Sequence, residues 1–169
     1  MAHPLVDQLR FTRSEFMSAV RGVSEEDGQR RLMPMNAIGW NVGHLAWQEQ
    51  RYFVTFAQGE TPLPEIAEEF AVGAPGTTPE LARVLAAWRE LTRRADLWLD
   101  TVTAKTLTER VMHRGKPTAR MYGNLLQRVI YHYWYHTGET MAIRQQLGHT
   151  RLPQFVGNID DLAPYRPSR

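Results

Sequence analysis

The sequence predicts an all-α protein, a four-helix bundle with long connections. Two observations carry that expectation. Apolar residues recur at steps of three, four and seven along four long segments, the spacing of a helix with one buried face. Between those segments proline and glycine collect, and two of the intervals are long enough to be surface connections.

The first helix begins near Leu5, and Leu5, Leu9, Phe16, Ala19 and Val23 form its stripe. Ser24-Glu25-Glu26-Asp27 has the look of a capping sequence opening a short extra turn, which Gly28 weakens. Pro34 breaks the chain before a second helix, with Asn36 as its expected N-cap. The stripe there is Trp40, His44, Trp47, Arg51 and Val54, and Gly59 and Pro62 end it. Residues 57–78 hold three prolines and three glycines and read as a long connection with one short helical turn. Thr78-Pro79-Glu80 reads as the start of the third helix, a cap residue followed by Pro at the first helical position. Its stripe runs through Leu81, Leu85, Trp88, Leu91, Ala95, Trp98 and Val102. Residues 103–117 form a second connection. The fourth helix is expected from about Thr118 to Leu147, roughly 45 Å at 1.5 Å per residue, with Gly148 as its stop.

At 169 residues the chain suits one domain, 1–169, with a Pro-containing tail from about residue 150 lying over the surface. Such a length buries roughly 70% of the unfolded surface, so no disulfide or structural metal is needed for folding. A net charge of +2, with basic and acidic residues interspersed, argues against a nucleic-acid partner. No apolar run is long enough for a membrane span, and the charged, amphipathic start is unlike a signal peptide. Cysteine is absent, which removes thiolate ligands and a cysteine nucleophile and fits a cytoplasmic protein.

The chemistry concentrates in QRVIYHYWYHTGETMAIRQQLGH. Leu125, Val129, His132, His136, Glu139, Ile143 and Leu147 share one stripe, so His132 and His136 project from one face about a turn apart. That spacing suits chelation of one metal ion, and equally two packed, hydrogen-bonded core histidines. His44, in the middle of the second stripe, favours the clamp. Two helices that both turn histidines inward can gather three imidazoles, which bind Zn²⁺, Ni²⁺, Fe²⁺ or Mn²⁺ and leave positions open. Glu139 is open as a fourth ligand, a general base or an acceptor that orients His136. Gly138 beside it is a candidate for close approach of another helix. Trp40 and Trp47 are core residues or pocket walls; Arg51 is a solvated charge or a guide for a substrate carboxylate. His3, His113 and His149 are expected in solvent.

NAIGWNVGHLAWQEQRYF, from Asn36, and HYWYHTGETMAIRQQLGH, from His132, resemble the second-helix and last-helix motifs of the DinB-like family. The resemblance extends to the order and spacing of the helices. It implies a bundle in which His44, His132 and His136 bind a divalent metal, and it implies homodimers. Glu139 departs from the Gln common in that family. The resemblance also implies a function: activation of a small-molecule thiol such as mycothiol or bacillithiol in S-transfer or isomerisation, or of water in hydrolysis. A metal-dependent enzyme acting on a small molecule is therefore the first expectation. A non-catalytic metal-binding or ligand-sensing bundle is the second, and a metal-free bundle with a histidine cluster the third.

Overall fold

The structure, a computed structural model, describes residues 2–113 and 115–166. Its four long helices are those the stripes predict. Helix α1 spans Pro4–Val20 and buries Val6, Leu9, Phe16, Ala19 and Val20. Its N-terminus is capped by His3, whose Nδ1 accepts from the Leu5 N–H at 3.1 Å, so this histidine is a cap rather than a free solvent group. A short α2, Glu25–Gln29, follows with Ser24 as its cap. Helix α3, Ile38–Glu49, is buried at every residue, as befits the apolar central helix of a bundle. It runs on without a break into a π-helical segment, Gln50–Phe56.

The first connection carries α4, Pro64–Phe70, which pins Ile66 and Phe70 into the core. Helix α5, Leu81–Leu99, then packs along α3. The second connection contains α6, Ala104–Thr108, opened by a Thr103–Thr106 capping box. Two strands follow, β1 (Arg110–His113) and β2 (Lys116–Met121), paired antiparallel with an irregularity between Arg110 and Met112. The last long helix, α7, spans Tyr122–Gln146 and packs on α1 and α3. Gly148, at φ +83°, ends it in the left-handed conformation that glycine adopts without strain. The tail adds α8, Ile159–Leu162, and buries Ala163, whose carbonyl accepts from Gln8 at 2.8 Å. Residues 167–169 of the tail, and Arg114 of the second connection, lie outside the described residues. No helix among the described residues is long and apolar enough to cross a membrane.

Several expected boundaries move, each for a tertiary reason. The fourth helix begins at Tyr122, because residues 118–121 pair as a strand. The third begins at Leu81 instead of Thr78. Its first N–H groups, those of Leu81 and Ala82, are satisfied by the Glu25 carboxylate at 2.5 and 3.1 Å, so a side chain 56 residues away replaces the local cap. Asn36 does not cap α3; Ala37 holds the cap position and makes no side-chain bond there. Among the described residues nothing lies within 4 Å of a Cβ added to Gly138, whereas a Cβ on Gly43 would lie 2.7 Å from the Phe70 ring. The close approach thus belongs to α3 and α4.

One buried polar network ties all four long helices together. Arg13 of α1 donates to both Glu49 carboxylate oxygens at 2.7 Å, and to Asp96 of α5 at 2.8 Å. Tyr133 of α7, fully buried, donates to Glu49 at 3.1 Å and accepts from Trp88 of α5 at 2.7 Å. Burial opposes the Arg13 charge, yet the paired Glu49 outweighs it and raises the guanidinium pKa. Tyr133 is pushed well up by burial and by the same carboxylate, and so stays a phenol.

Candidate metal centre

The three inward histidines meet. His44 comes from the middle of α3, His132 and His136 from adjacent turns of α7, and their ligating nitrogens lie within 4.8 Å of one another. His44 and His136 are buried and His132 is half-buried.

Each ring is held by its Nδ1. His44 Nδ1 lies 2.6 Å from the Phe70 carbonyl. That oxygen closes α4, where the last carbonyls of a helix lack an intrahelical donor and the axis carries its negative end. Gly43 makes this possible by letting the Phe70 ring settle against α3. His136 Nδ1 lies 2.8 Å from Glu139 Oε2, one turn along α7. His132 Nδ1 lies 3.0 Å from Gln48 Oε1, one turn on from His44. A carbonyl and a carboxylate can only accept, so His44 and His136 carry their proton on Nδ1 and keep a lone pair on Nε2. The same tautomer follows for His132 with the Gln48 oxygen turned to it.

The remaining nitrogens face inward. His132 Nε2 and His136 Nε2 are 3.1 Å apart. Two nitrogens each about 2.1 Å from a shared ion lie roughly 3.0–3.4 Å apart, so this separation fits a common cation. Without one, the same separation is that of a hydrogen bond, in which one Nε2 carries a proton and donates to the other. The donor set, three imidazole nitrogens each backed by an outer acceptor, is the chemistry of a borderline divalent ion.

The walls are aromatic. Trp40 stacks on the His44 ring at 4.7 Å and 14°, and Trp47 stacks nearby at 5.2 Å and 26°. Trp40 is itself tethered by its Nε1–H to the Pro75 carbonyl at 3.2 Å. On the α7 side the exposed Tyr135 sets its ring edge-on to His136 at 5.0 Å, which makes it the rim of the site. Arg51 lies farther along the α3 line, exposed, with its guanidinium over the Trp47 and Phe56 rings at 5.4 Å each. His113 is exposed in the hairpin, and His149 is partly buried between Arg144 and Asp27.

Burial pushes the His44 imidazole down to about 4, against the pull of the Phe70 carbonyl. Burial also takes His132 to about 3, helped by the neighbouring His136 and His44. Both are therefore neutral at pH 7, the form a metal needs. Burial alone would raise the Glu139 carboxyl. The Nδ1–H of His136, the facing Asn36 N–H and the Asn41 amide outweigh it and hold the group below its ordinary value. Asn41 is buried and near enough to bias that carboxylate, yet neither of its amide atoms closes a hydrogen bond.

These shifts predict a pH response of the metal-free protein. The unfolded chain takes up protons at His44 and His132 below the ordinary value of 6.5; the folded chain resists until about 4 and about 3. Stability carried by these groups is complete above 6.5 and is lost as pH falls toward 4. The urea midpoint of metal-free protein is expected to drop over that interval, and to drop less in His132→Ala. A level profile, or one identical in the variant, would contradict it.

Of the outer acceptors the sequence offered Glu139, which does hold His136, and missed the other two. Gln48 had a signal: it stands four residues after His44, on the same face of the helix. The Phe70 carbonyl had none, since a backbone acceptor from another element leaves no mark in the side-chain pattern. No curated protein matches the chain. The family model described as the DinB superfamily matches residues 8–140, a stretch that holds all three inward histidines and all four long helices but the first turn of α1 and the last turns of α7. The chain belongs to the DinB superfamily.

Proposed function

We propose that the protein is a metal-dependent enzyme acting on a small molecule, with a divalent ion held by His44, His132 and His136. One observation carries this reading: three imidazoles are each anchored through Nδ1, or turned by a neighbour to be so, and their Nε2 atoms converge, two of them at 3.1 Å. Zn, Ni, Fe and Mn all suit such a set. When bound, the ion supplies a lowered pKa to a thiol or water entering its open positions.

The chain's own residues do the rest. Phe70, Gln48 and Glu139 fix the tautomers and the ring planes, so the donors need no reorganisation. Trp40 and Trp47 exclude water from the His44 side and provide a flat apolar wall. Glu139, ionised and bonded to His136, is an orienting acceptor, and among the described residues it is the carboxylate placed to receive a proton through that ring. The chain lacks cysteine, so a thiol nucleophile comes from a cosubstrate such as mycothiol, giving S-transfer or isomerisation. With water as nucleophile the reaction is hydrolysis.

Metal content measured by mass spectrometry, on protein purified without affinity tag or added metal, tests the reading. About one equivalent of a divalent ion is expected, and its loss in His44→Ala. His136→Ala is then expected to abolish turnover of a thiol-dependent transfer or a hydrolysis while the fold persists. Protein without metal that also takes none up on titration would overturn the proposal. Full metal with unchanged turnover in His136→Ala would leave a non-catalytic metal-binding bundle.

A further inference from the structure

Two helical turns beyond His44, the π-helical segment opens a cleft of about 250 Å³ whose walls include Trp47, Arg51, Thr55, Phe56, Thr61 and Ala67. The π-helix makes this cleft. Its period brings residues five apart onto nearly one face, so Phe56 comes beneath Arg51 as Trp47 does from the α-helical side. The guanidinium is thereby held over two rings at 5.4 Å each. No carboxylate among the described residues pairs with it; Glu60, from the same end of the segment, is turned to Arg94 instead. Thr55 and Thr61 hydroxyls bond to each other at 3.0 Å, which leaves one O–H free to donate. The Gln50 amide is spent on both backbone groups of Leu63.

We propose that this cleft is a carboxylate subsite, in which Arg51 takes the acid group of a small substrate and Trp47, Phe56 and Ala67 cover its apolar body. The guanidinium fork matches a carboxylate in two parallel hydrogen bonds, and its stacking on aromatic rings fixes the fork in place. The volume lies below the usual 300–1,000 Å³ of sites for drug-sized ligands, so the acid is small. Seven residues separate His44 from Arg51, roughly 10 Å of helical rise. Trp47 touches both. An acid anchored at Arg51 lies over the Trp47 face with its far end toward the three histidines, so its reacting carbon stands several bonds from the carboxylate. This assignment of substrate class rests on the metal-enzyme reading above, whereas binding in the cleft does not.

Calorimetric titration with benzoate, and with benzamide as its uncharged counterpart, tests the subsite. The protein is used as purified and again after dialysis against a chelator. Benzoate is expected to bind in both states, and benzamide about tenfold or more weaker. Arg51→Met is expected to weaken benzoate by a similar factor with metal content unchanged, and Arg51→Lys to fall between. Equal binding of the two probes, or full benzoate affinity in Arg51→Met, would overturn the proposal. Loss of benzoate binding on chelation would also overturn it, since the carboxylate would then sit on the ion. Benzoate binding that depends on Arg51 in a protein taking up no metal would sustain the subsite and remove the metal-enzyme reading.

Discussion

Glu49→Ala is expected to destabilise the metal-free protein by about 3–5 kcal/mol, the largest loss of any single substitution outside the apolar core. Glu49 has no exposed surface, and it is the bidentate partner of Arg13, whose side chain is only 6% exposed. Removing the carboxylate leaves a guanidinium in the interior with Asp96 alone, and Asp96 is itself 37% exposed. The Tyr133 hydroxyl loses its acceptor in the same step. Most of the cost is thus a stranded charge rather than the net worth of the pair, and that distinction is measurable. Arg13→Met combined with Glu49→Leu removes both charges and restores apolar volume, and is expected to recover most of the stability. Urea denaturation of the two single variants and the double variant, as a cycle, checks this. A double variant as unstable as the sum of the singles would show that the network contributes by its shape rather than by compensating charge. The network also bears on the site, because Tyr133 stands between His132 and Trp134 on α7. Its bonds to Glu49 and Trp88 set the rotation of that helix against α3 and α5.

The helices were legible in the sequence because each buries one face, and their periods survive any detail of packing. What was not legible arose where a residue's partner is distant in the chain. Arg13 fell in the gap between Leu9 and Phe16, a charge on a stripe that steps over it, and only Glu49, 36 residues on, explains its burial. The start of α5 was misplaced because the cap is Glu25 from α2. The hairpin of residues 110–121 carries no strand signal, because β1 buries one residue, Val111, and β2 buries none, so no alternation marks it. The π-helical segment leaves no trace until Arg51 and Phe56 are seen on one face. The site shows both sides of this. The stripe of α7 correctly turned His132, His136 and Glu139 inward, but the centre of the buried face runs through Leu126, Tyr133, Thr137 and Thr140. The histidines stand beside that centre, where a face can be reached past Tyr135, and not in its sealed middle.

Added Zn²⁺ is expected to raise the stability of metal-free protein by about 2.7 kcal/mol at a free concentration a hundred times the dissociation constant, and by about 4.1 kcal/mol at a thousand times. His136→Ala is expected to show none of that gain. The reasoning turns on Gln48. Without metal, its amide can turn end for end, so that it donates to His132 Nδ1 and lets His132 carry its proton on Nε2, toward His136 at 3.1 Å. His132 and His136 are then hydrogen-bonded to each other and to their outer partners, and the protein folds without the ion. Metal reverses that one proton and that one amide and leaves the Phe70 and Glu139 anchors in place, so little reorganisation opposes binding. Thermal melts of wild type and His136→Ala, with chelator and with Zn²⁺, separate the two roles of the histidines. A clamp gives a metal-dependent gain in wild type only. A purely structural cluster gives a loss in the variant that is the same with and without metal, and that result would remove the metal from the account of this site. Gln48→Leu sharpens the test: it deletes the outer acceptor of His132 without touching a ligand. Expected is a 10–100-fold weaker Zn²⁺ affinity, the usual cost of losing such a partner, with the metal-dependent gain in stability reduced but present.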